Sequence, residues 1–353
     1  MEDKKLKNIL KSPSPNAFIC YNTEHILTSL ILSYYHQNQT YIYICNRFSG
    51  YRKLTEKINK QFPYIEKAIA IDDNKLKEKN KSKNPFKHLY RLIFYKKYLK
   101  QVFGNKPYIK PLYSSDIFMY HDGQFLSQFI VTNFDNLNLI EEGIGNYADI
   151  ESNFPALLKK LHGIHPPYGR NPRIKNIFVK KPEKLPKAIR TKGCYFDKSK
   201  YVQNIPEDLT QLLIHTFLDP GELKTTRGDS VLLITQPFSE DLVIEEFKKK
   251  ALYSEIVDKL SQNFNIYLKP HPRETTNYSF LESRVERIFQ NTFPIEIINY
   301  IDEINFDIAV TLSSSSIERL KPQIKTYKLG DILSDDEKYF RRIRKNLKRI
   351  KKI

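Results

Sequence analysis

The chain has 353 residues, of which 40% are hydrophobic and 13% aromatic, so its composition excludes a disordered protein and its length favours two globular domains. Lysine and arginine number 58 against 40 acidic residues, and the resulting charge of +18 favours an anionic partner: nucleic acid, an acidic membrane surface, or a phosphorylated or carboxylated substrate. The three cysteines, Cys20, Cys45 and Cys194, form no CxxC pair, which argues against a disulfide framework or a cysteine-rich zinc site.

The N-terminal part of the chain has the pattern of a parallel α/β sheet. The first 15 residues lack the apolar segment of a signal peptide, and no stretch approaches the roughly 20 apolar residues that span a bilayer, so we expect a cytoplasmic protein. Strands are predicted over 17–21 and 40–45, and helices over 25–35 and 51–62. This β-α-β-α order predicts a parallel sheet. No GxGxxG follows the first strand, so a dinucleotide cofactor is not indicated.

Residues 75–110 are rich in Lys, Tyr and Phe, and the spacing within 89–95 suits an amphipathic helix. Interleaved basic and aromatic side chains are also compatible with RNA binding. Aromatic residues at helical spacing are more often core contacts, and the lysines a solvated face, so we expect no nucleic-acid partner. A strand over 116–120 follows, and residues 121–124 are interpreted as a polar turn.

Two glutamates follow the next predicted strand. Residues 136–140 form a short apolar run, after which come Glu141, Glu142 and Gly143. Adjacent carboxylates repel each other, so the pKa of one of them is expected to be raised, which suits a general base. The glycine permits close approach of a ligand to the backbone. On this segment alone, an acidic turn with two solvated carboxylates is the simpler alternative.

A proline-flanked histidine ends a strand in the second half of the chain. A second α/β pattern begins near residue 229, with a strand over 231–235 and a helix that reaches about residue 260. The strand at 266–268 then leads into Lys269, Pro270, His271 and Pro272, so the imidazole is expected at the carboxyl end of a strand, between stiff backbone segments. Open α/β sheets bind their ligands at that end.

Serines follow the last predicted strand. A short strand is predicted over 285–289, a helix beginning near Pro294, and a final strand over 306–311. Ser313 and Ser314 begin the run of serines that comes next. We expect this run to open a helix, whose free N–H groups and positive dipole end favour phosphate. Simple capping of that helix by serine is the alternative.

Two segments of the chain are strongly basic. Residues 170–200 are rich in Pro, Lys and Arg with little periodicity, which suits an exposed connection. The end of the chain, beginning at Lys338 and finishing at Ile353, has nine basic residues and no acidic ones, with apolar residues at spacings of three or four. Such a basic amphipathic helix suits an anionic membrane surface, and a frayed soluble helix is the alternative.

The order of these segments resembles the motifs of bacterial sialyltransferases. Glu141-Glu142-Gly143 is similar to their paired acids followed by glycine, His271-Pro272 to their HP motif, and Ser313-Ser314 to their Ser-Ser or Ser-Thr pair. The segments 18–21, 234–237 and 293–296 look most like glycosyltransferase family 52, which contains lipooligosaccharide and capsule sialyltransferases. The resemblance covers residues from about 15 to 330. This chain departs from the family pattern in two ways. Its acidic pair is Glu-Glu, where a form that contains Asp is commoner, and its basic segment at 170–200 matches no part of the pattern.

The resemblance implies an α/β fold with two Rossmann-like domains facing a cleft, the GT-B architecture. On that basis we expect four segments: an N-terminal Rossmann-like, acceptor-side domain over 1–168, a basic connection over 169–228, a C-terminal Rossmann-like, nucleotide-sugar-binding domain over 229–333, and a basic amphipathic helix over 334–353.

The resemblance also implies an inverting sialyltransferase that uses CMP-sialic acid as donor, a hydroxyl of a glycan on lipid or polysaccharide as acceptor, and neither a metal nor another cofactor. In this reaction Glu142 is the general base, and His271 assists the departure of CMP. Ser313 and Ser314 hold the phosphate. The other candidate residues have supporting roles on the donor or the acceptor side: Lys269 near the cytosine, Pro272 beside the histidine, Glu296 at the ribose hydroxyls, and Glu141 and Gly143 beside the base.

Two other classes of function remain open at this stage. One is a transferase of the same fold that uses another nucleotide sugar, such as a different nonulosonate or glucose. The other is a non-enzymatic basic protein that binds RNA or anionic lipid. For a sialyltransferase we expect a place at the inner face of a bacterial cytoplasmic membrane, held by residues 338–353, and a homodimer is compatible with the sequence. The acceptor sugar and the linkage are not determined by it.

Overall fold

The computed structural model describes residues 3–79, 86, 91, 93–150, 165–203, 205–218, 229–301 and 306–350. The chain divides into two compact units, unit 1 (Met1–Leu209) and unit 2 (Thr210–Ile353). Each unit contains its own parallel sheet and its own apolar core. Among the described residues, no helix has the length and hydropathy needed to cross a membrane.

The sheet of unit 1 has strands in the order β3-β2-β1-β4-β5-β6-β7, all parallel. The strands are β1 (Asn16–Cys20), β2 (Thr40–Cys45), β3 (Ile65–Ile71), β4 (Asp116–Met119), β5 (Leu137–Ile140), β6 (Ile174–Val179) and β7 (Gly193–Tyr195). The central strands are buried along their whole length because helices cover both faces of a parallel sheet, which explains their continuous apolar sequences.

Helices connect and flank these strands: α1 (Lys4–Leu10), α2 (Thr23–His36), α3 (Tyr51–Gln61), α4 (Asp73–Lys79), α5 (Tyr95–Phe103), α6 (Phe125–Asn133), α7 (Lys198–Gln203) and α8 (Glu207–Phe217). Asn22 caps α2, because its side-chain oxygen accepts the N–H of His25 at 2.8 Å. The boundary between the units falls within α8.

The sheet of unit 2 has the order β10-β9-β8-β11-β12 and is again parallel. Its strands are β8 (Ser230–Ile234), β9 (Asn265–Lys269), β10 (Arg287–Ile288), β11 (Ile308–Thr311) and β12 (Lys325–Lys328), and its helices are α9 (Glu246–Leu260) and α10 (Glu337–Leu347). The α/β class predicted from the sequence is correct for both units.

The structure differs from the expected basic connection over 169–228. Residues Ile174–Val179 and Gly193–Tyr195 are strands of the first sheet, and the division between the units comes at residue 209. The prediction failed because charged residues surround the short strand β6, whose apolar side chains are nevertheless buried. Residues 219–228, and residues 89, 90 and 92 of the helix predicted over 89–95, lie outside the described residues.

The apolar face of the C-terminal helix lies in the protein core, which corrects the expectation that this face lies on a membrane. Helix α10 buries Phe340, Ile343 and Leu347, and Ile350 joins them in the core of unit 2. On its polar face, Arg344 forms ion pairs with Glu255 of α9 and with Glu337. The amphipathic pattern therefore serves to dock the helix, and its remaining basic side chains face solvent.

We predict that α10 stabilises unit 2 through packing rather than charge. Ile343→Ala should destabilise unit 2 by about 2–5 kcal/mol, because it opens a cavity at a fully buried position. Replacing the exposed Arg341 and Arg342 by Gln should change stability by less than about 0.5 kcal/mol per site. Urea unfolding of the purified variants measures both effects. Equal stability of Ile343→Ala and the wild type would contradict the assignment.

Candidate functional site

In unit 1 the two adjacent glutamates lie directly after β5, where the chain leaves the sheet, and their side chains have different surroundings. The N–H of Glu141 continues the ladder to Phe178, and its carboxylate accepts the N–H of Lys180 at 2.6 Å. Glu142 instead lies beside the first turn of α2, 3.7 Å from His25. The structure therefore distinguishes a glutamate that fixes the loop from one that faces other titratable side chains.

Burial raises the pKa of Glu142 to about 7, and the negative charges of Glu24 and Asp122 act in the same direction, while Lys198 lowers this pKa. The expected cause was repulsion from Glu141, and that explanation is wrong: desolvation contributes most. A carboxyl with this pKa is half ionised near neutral pH. It can accept a proton and release it again, as a general base must.

His25 is a partner of this carboxyl that the sequence did not reveal. Its buried ring stacks on Tyr120 at 4.2 Å, and its Nδ1 accepts the backbone N–H of Tyr21 at 3.2 Å. Its Nε2 lies 3.0 Å from the side-chain nitrogen of Asn22, which is a donor because the Asn22 oxygen accepts the N–H of His25. Both ring nitrogens therefore face donors. Oε1 of Glu142 lies 3.7 Å from Nε2, which is beyond hydrogen-bond distance but within the distance of an ion pair with a protonated ring.

Two other expectations concern the neighbourhood of Glu142. The turn at 121–124 is structural, since the buried carboxylate of Asp122 accepts the N–H groups of Tyr168 and Gly169 at 2.5 and 3.0 Å. Gly143 has extended backbone, and a Cβ added there would meet nothing within 4 Å. The fold of this chain therefore does not itself require glycine at position 143.

In unit 2, three neighbouring strands bring their carboxyl ends to one edge of the sheet. Ile234 of β8 pairs in register with Lys269 of β9 on one side and with Thr311 of β11 on the other. The three strands therefore end at the same height along the strand direction, and the residues that follow them begin side by side. This places His271 and Ser313 on either side of the segment that leaves β8.

The backbone and the ring of His271 are held by hydrogen bonds. Its N–H donates to Oε2 of Glu274 at 2.6 Å and to the hydroxyl of Thr235 at 3.3 Å. Nδ1 accepts the N–H of Arg273 at 3.1 Å, so the proton of the neutral ring lies on Nε2. Burial, and then the charges of Arg273 and Lys269, lower the pKa of His271 to about 4. The ring is therefore neutral at pH 7 and offers a hydrogen-bond donor.

An ion network beneath the histidine loop fixes Glu274. The fully buried ammonium of Lys249 lies 2.7 Å from Oε1 of Glu274 and 2.8 Å from Oε2 of Glu240. Tyr278 donates to the same Glu274 oxygen at 2.9 Å, and the Thr235 hydroxyl donates to the other. Each carboxylate oxygen of Glu274 thus has a partner, and Lys249 compensates the buried charge.

The serine segment differs from the expected helix. After β11 the chain forms only a five-residue 3-10 helix (Ser315–Arg319), capped by the Ser314 hydroxyl, so the strong helix dipole expected at the serines is not formed. The Ser313 N–H donates to Oε1 of Gln236 at 2.7 Å, and the Ser313 hydroxyl donates to Asp331 at 2.9 Å. The backbone donor expected to bind phosphate is thus engaged by Gln236, a residue that the predicted site lacked.

The two charged donor-side candidates, Lys269 and Glu296, are buried, whereas Pro272 is half-buried. Nζ of Lys269 donates to the carbonyl of Pro270 at 3.2 Å and lies 4.4 Å from the ring centre of Phe293. Glu296 lies on a 3-10 helix (Ile295–Tyr300) rather than the expected α-helix, and its Oε1 accepts from Arg319 at 3.0 Å. Within the described part of the chain, no group of three or more His, Cys, Asp or Glu side chains is arranged to hold a metal ion.

Two units, each built on a parallel α/β sheet, are the architecture of the GT-B fold. The structure aligns over 93% of its length with 74% of the wall teichoic acid polymerase TagF with CDPG, at a TM-score of 0.50 and 10% identity, which is a likeness of fold. A UDP-GlcNAc 2-epimerase from Neisseria meningitidis aligns with 90% of this chain and 83% of its own, at a TM-score of 0.46 and 12% identity.

The chain belongs to glycosyltransferase family 52, whose sequence profile matches residues 36–329. It is also 32% identical over 179 residues to an uncharacterized protein of Haemophilus influenzae. That match covers 50% of this chain and 57% of the relative, so the chain spans less than two thirds of the relative's length. The resemblance read from the acidic, HP and serine motifs is thereby confirmed at the level of the family.

We predict that Glu142 makes unit 1 less stable as the pH rises from about 4.5 to 7. The unfolded chain loses this proton near the ordinary pKa of 4.5, whereas the folded chain keeps it until about 7, so ionisation in that window favours unfolding by up to about 3 kcal/mol. Glu142→Gln should remove this decrease. Urea unfolding of unit 1 at pH 5 and pH 7.5 measures it, with the exposed Glu56→Gln as control. An unchanged decrease in Glu142→Gln would contradict the assignment.

A second prediction concerns the buried ion network. Lys249→Met should destabilise unit 2 by about 3–5 kcal/mol, since it leaves the buried Glu274 carboxylate without its cation. The neighbouring Lys250, which pairs with Glu246 at the surface, provides the control, and Lys250→Met should cost no more than about 1 kcal/mol. Denaturant midpoints compare the two variants. Similar values for both would argue against a buried network.

Proposed function

We propose that this protein is an inverting sialyltransferase, which moves sialic acid from CMP-sialic acid to a hydroxyl of a cell-surface glycan such as lipooligosaccharide or capsule. The observation that carries the proposal is the family match over residues 36–329, with the acidic, HP and serine motifs each placed after a strand. The local chemistry of both units supports it. Unit 1 offers a carboxyl with a pKa near neutrality, and unit 2 offers hydrogen-bond donors suited to a phosphate.

On the acceptor side, Glu142 takes the proton of the attacking hydroxyl. The hydroxyl oxygen forms the new bond to the anomeric carbon, from the face opposite CMP, and this inverts the configuration. His25, whose Nε2 lies 3.7 Å from Glu142, supports the ionised form of Glu142 when the ring is protonated, and stacking on Tyr120 holds the ring in place. Neither His25 nor Tyr120 needs to touch the substrate in this scheme.

On the donor side, the bond from the anomeric carbon to the phosphate oxygen breaks, and its electron pair leaves with CMP. The sugar becomes oxocarbenium-like while negative charge grows on the phosphate. Because His271 is neutral at pH 7, its Nε2–H stabilises this charge as a hydrogen-bond donor and need not transfer a proton. The Ser313 and Ser314 hydroxyls are further donors, which a phosphate would draw from their present acceptors.

The nucleoside is assigned to the two buried donor-side residues. Lys269 is proposed near the cytosine. Glu296 is proposed at the ribose hydroxyls, since Arg319 occupies Oε1 and, within the described residues, no further donor is bound to Oε2. Pro272 keeps the backbone after His271 stiff, and Glu141 holds the loop that carries Glu142 through the N–H of Lys180.

The proposed place of action is the cytoplasmic face of a bacterial membrane. The exposed side chains of Arg341, Arg342 and Lys345 on α10 would supply attraction to anionic lipid without insertion of apolar groups. Co-sedimentation with anionic vesicles should decrease in the Arg341→Gln, Arg342→Gln variant, whose fold is expected to be intact. Undiminished co-sedimentation of this variant would place the contact elsewhere.

The donor is tested by incubating the purified protein with CMP-sialic acid and measuring the release of CMP, with UDP-glucose as the comparison. We predict CMP release that persists in EDTA, because the donors named above offset the leaving-group charge without a cation. An absolute requirement for Mg²⁺ or Mn²⁺ would refute this mechanism. Turnover of UDP-glucose alone would support a family-52 protein with another donor.

Substitutions on the acceptor side and on the donor side should have different effects on CMP affinity. Glu142→Gln and His271→Ala should each lower transfer on the order of 100- to 10,000-fold. Glu142→Gln should keep its affinity for CMP, because this residue is proposed to contact only the acceptor hydroxyl. His271→Ala should lose CMP affinity as well as rate.

Calorimetry with CMP on the two variants decides between these outcomes, and Glu56→Gln serves as a matched control for loss of one exposed carboxylate. Near wild-type CMP binding by His271→Ala, together with lost binding by Glu142→Gln, would reverse the proposed donor and acceptor sides. Full transfer activity in either variant would remove that residue from the mechanism.

A further inference from the structure

Unit 1 contains a cavity of about 530 Å³ that the proposed reaction does not use. Residues of α1, of the last turn of α2, and of the segment from the end of β7 through α7 line it. Its volume falls within the range of about 300–1,000 Å³ that is usual for small-molecule sites. We call it the α1–α7 cavity.

The α1–α7 cavity lies at the end of α2 remote from Glu142. At the first turn of α2, Glu24 pairs with Lys198 of α7, and this is the turn nearest to Glu142. At the last turn, the ring of Tyr35 meets the ring of Tyr201 of α7 at 5.8 Å. Glu24 and Tyr35 are separated by 11 residues of helix, about 16 Å at 1.5 Å per residue. The cavity is therefore distinct from the candidate base.

The two carboxylates of the cavity wall already have partners. Asp3 binds the ammonium of Lys7 at 3.0 Å and accepts a hydrogen bond from the hydroxyl of Tyr201. Asp197 binds the ammonium of Lys180 at 3.1 Å. Both acids are thus compensated and would not repel an incoming anion strongly.

Two further ammonium groups in the wall lack such a partner. Lys11 and Lys200 are exposed, and in the described part of the chain neither has a carboxylate within ion-pair distance. Lys200 lies instead 5.4 Å from the ring centre of Tyr195. The cavity consequently carries excess positive charge, which favours an anionic ligand.

Aromatic and imidazole groups supply the rest of the lining. The rings of Tyr35, Tyr195 and Tyr201 offer apolar surface beside hydroxyl groups, the combination that suits the C–H and O–H edges of a sugar ring. His36 has both ring nitrogens buried without a hydrogen-bond partner. Burial and the charges of Lys11 and Lys7 lower its pKa to about 4, so the ring is neutral and can both donate and accept.

We propose that the α1–α7 cavity binds a saccharide that carries a carboxylate or a phosphate. The anion pairs with Lys11 and Lys200, the sugar ring packs on the tyrosines, and His36 provides a polar contact at the wall. This goes beyond the transfer reaction, because it gives unit 1 a second glycan site that can hold an acidic sugar of a polymer while another part of the same polymer is modified.

Calorimetry with four probes tests the proposal: glucose 6-phosphate, glucuronic acid, glucose and inorganic phosphate. We expect a Kd on the order of 1 mM for one or both acidic sugars, and at least roughly 10-fold weaker binding of glucose and of phosphate. The preferred acidic sugar identifies the anion. Binding should persist in saturating CMP, because the nucleotide is assigned to unit 2.

The matched variants remove two positive charges each. Lys11→Gln with Lys200→Gln should weaken binding of the acidic sugar about 10-fold. Lys60→Gln with Lys110→Gln, at two exposed positions of unit 1 that do not line the cavity, should leave it unchanged. Equal losses of affinity in both pairs of variants would show that only the net charge of the protein matters. If inorganic phosphate bound as tightly as glucose 6-phosphate, the cavity would be a site for the anion alone and not for a sugar. Displacement by CMP, or no binding of either acidic sugar, would also overturn the proposal.

Because binding is measured without turnover, the cavity and the transferase can fail independently. Binding of an acidic sugar without CMP release would support the saccharide site and refute the proposed donor. CMP release without binding of an acidic sugar would support the proposed donor and refute the saccharide site.

Discussion

Parallel hydrogen bonding between strands decides which segments of this protein lie side by side. In a parallel sheet every strand ends at the same edge, so segments distant in sequence become neighbours. The registers of Lys269 and Thr311 against Ile234 show this directly, because they bring the segments containing His271 and Ser313 to one level. A slip of one residue in either ladder would turn the following side chains to the other face.

The backbone also orients two histidine rings. In His25 and in His271 alike, Nδ1 accepts a neighbouring backbone N–H, from Tyr21 and Arg273 respectively. In His271 this contact places the proton of the neutral ring on Nε2. In His25 the side-chain nitrogen of Asn22 lies 3.0 Å from Nε2, and Glu142 lies 3.7 Å from the same nitrogen. The same backbone contact thus holds both rings, while their other neighbours differ.

Burial gives similar charged residues different properties. Glu141 and Glu142 are adjacent, yet only Glu142 faces the turn that contains Glu24, and desolvation raises the pKa of Glu142. Glu274 is more deeply buried, but Lys249 balances its charge and it serves as a structural support for the histidine loop. The electrostatic environment of a buried carboxylate in this protein therefore depends on which counter-charge accompanies its loss of contact with water.

The sequence by itself determined the α/β class, the strand at 40–45, the strand predicted over 116–120 and found at 116–119, and the family motifs, because apolar periodicity and short motifs are local properties. Tertiary structure alone decided what the apolar residues of each segment pack against. It placed the apolar face of α10 in a core rather than on lipid, and made residues 174–179 a strand within a basic segment. It also supplied His25, Gln236 and Lys249 from other elements, since contacts between residues far apart in sequence arise only when the strands and helices pack.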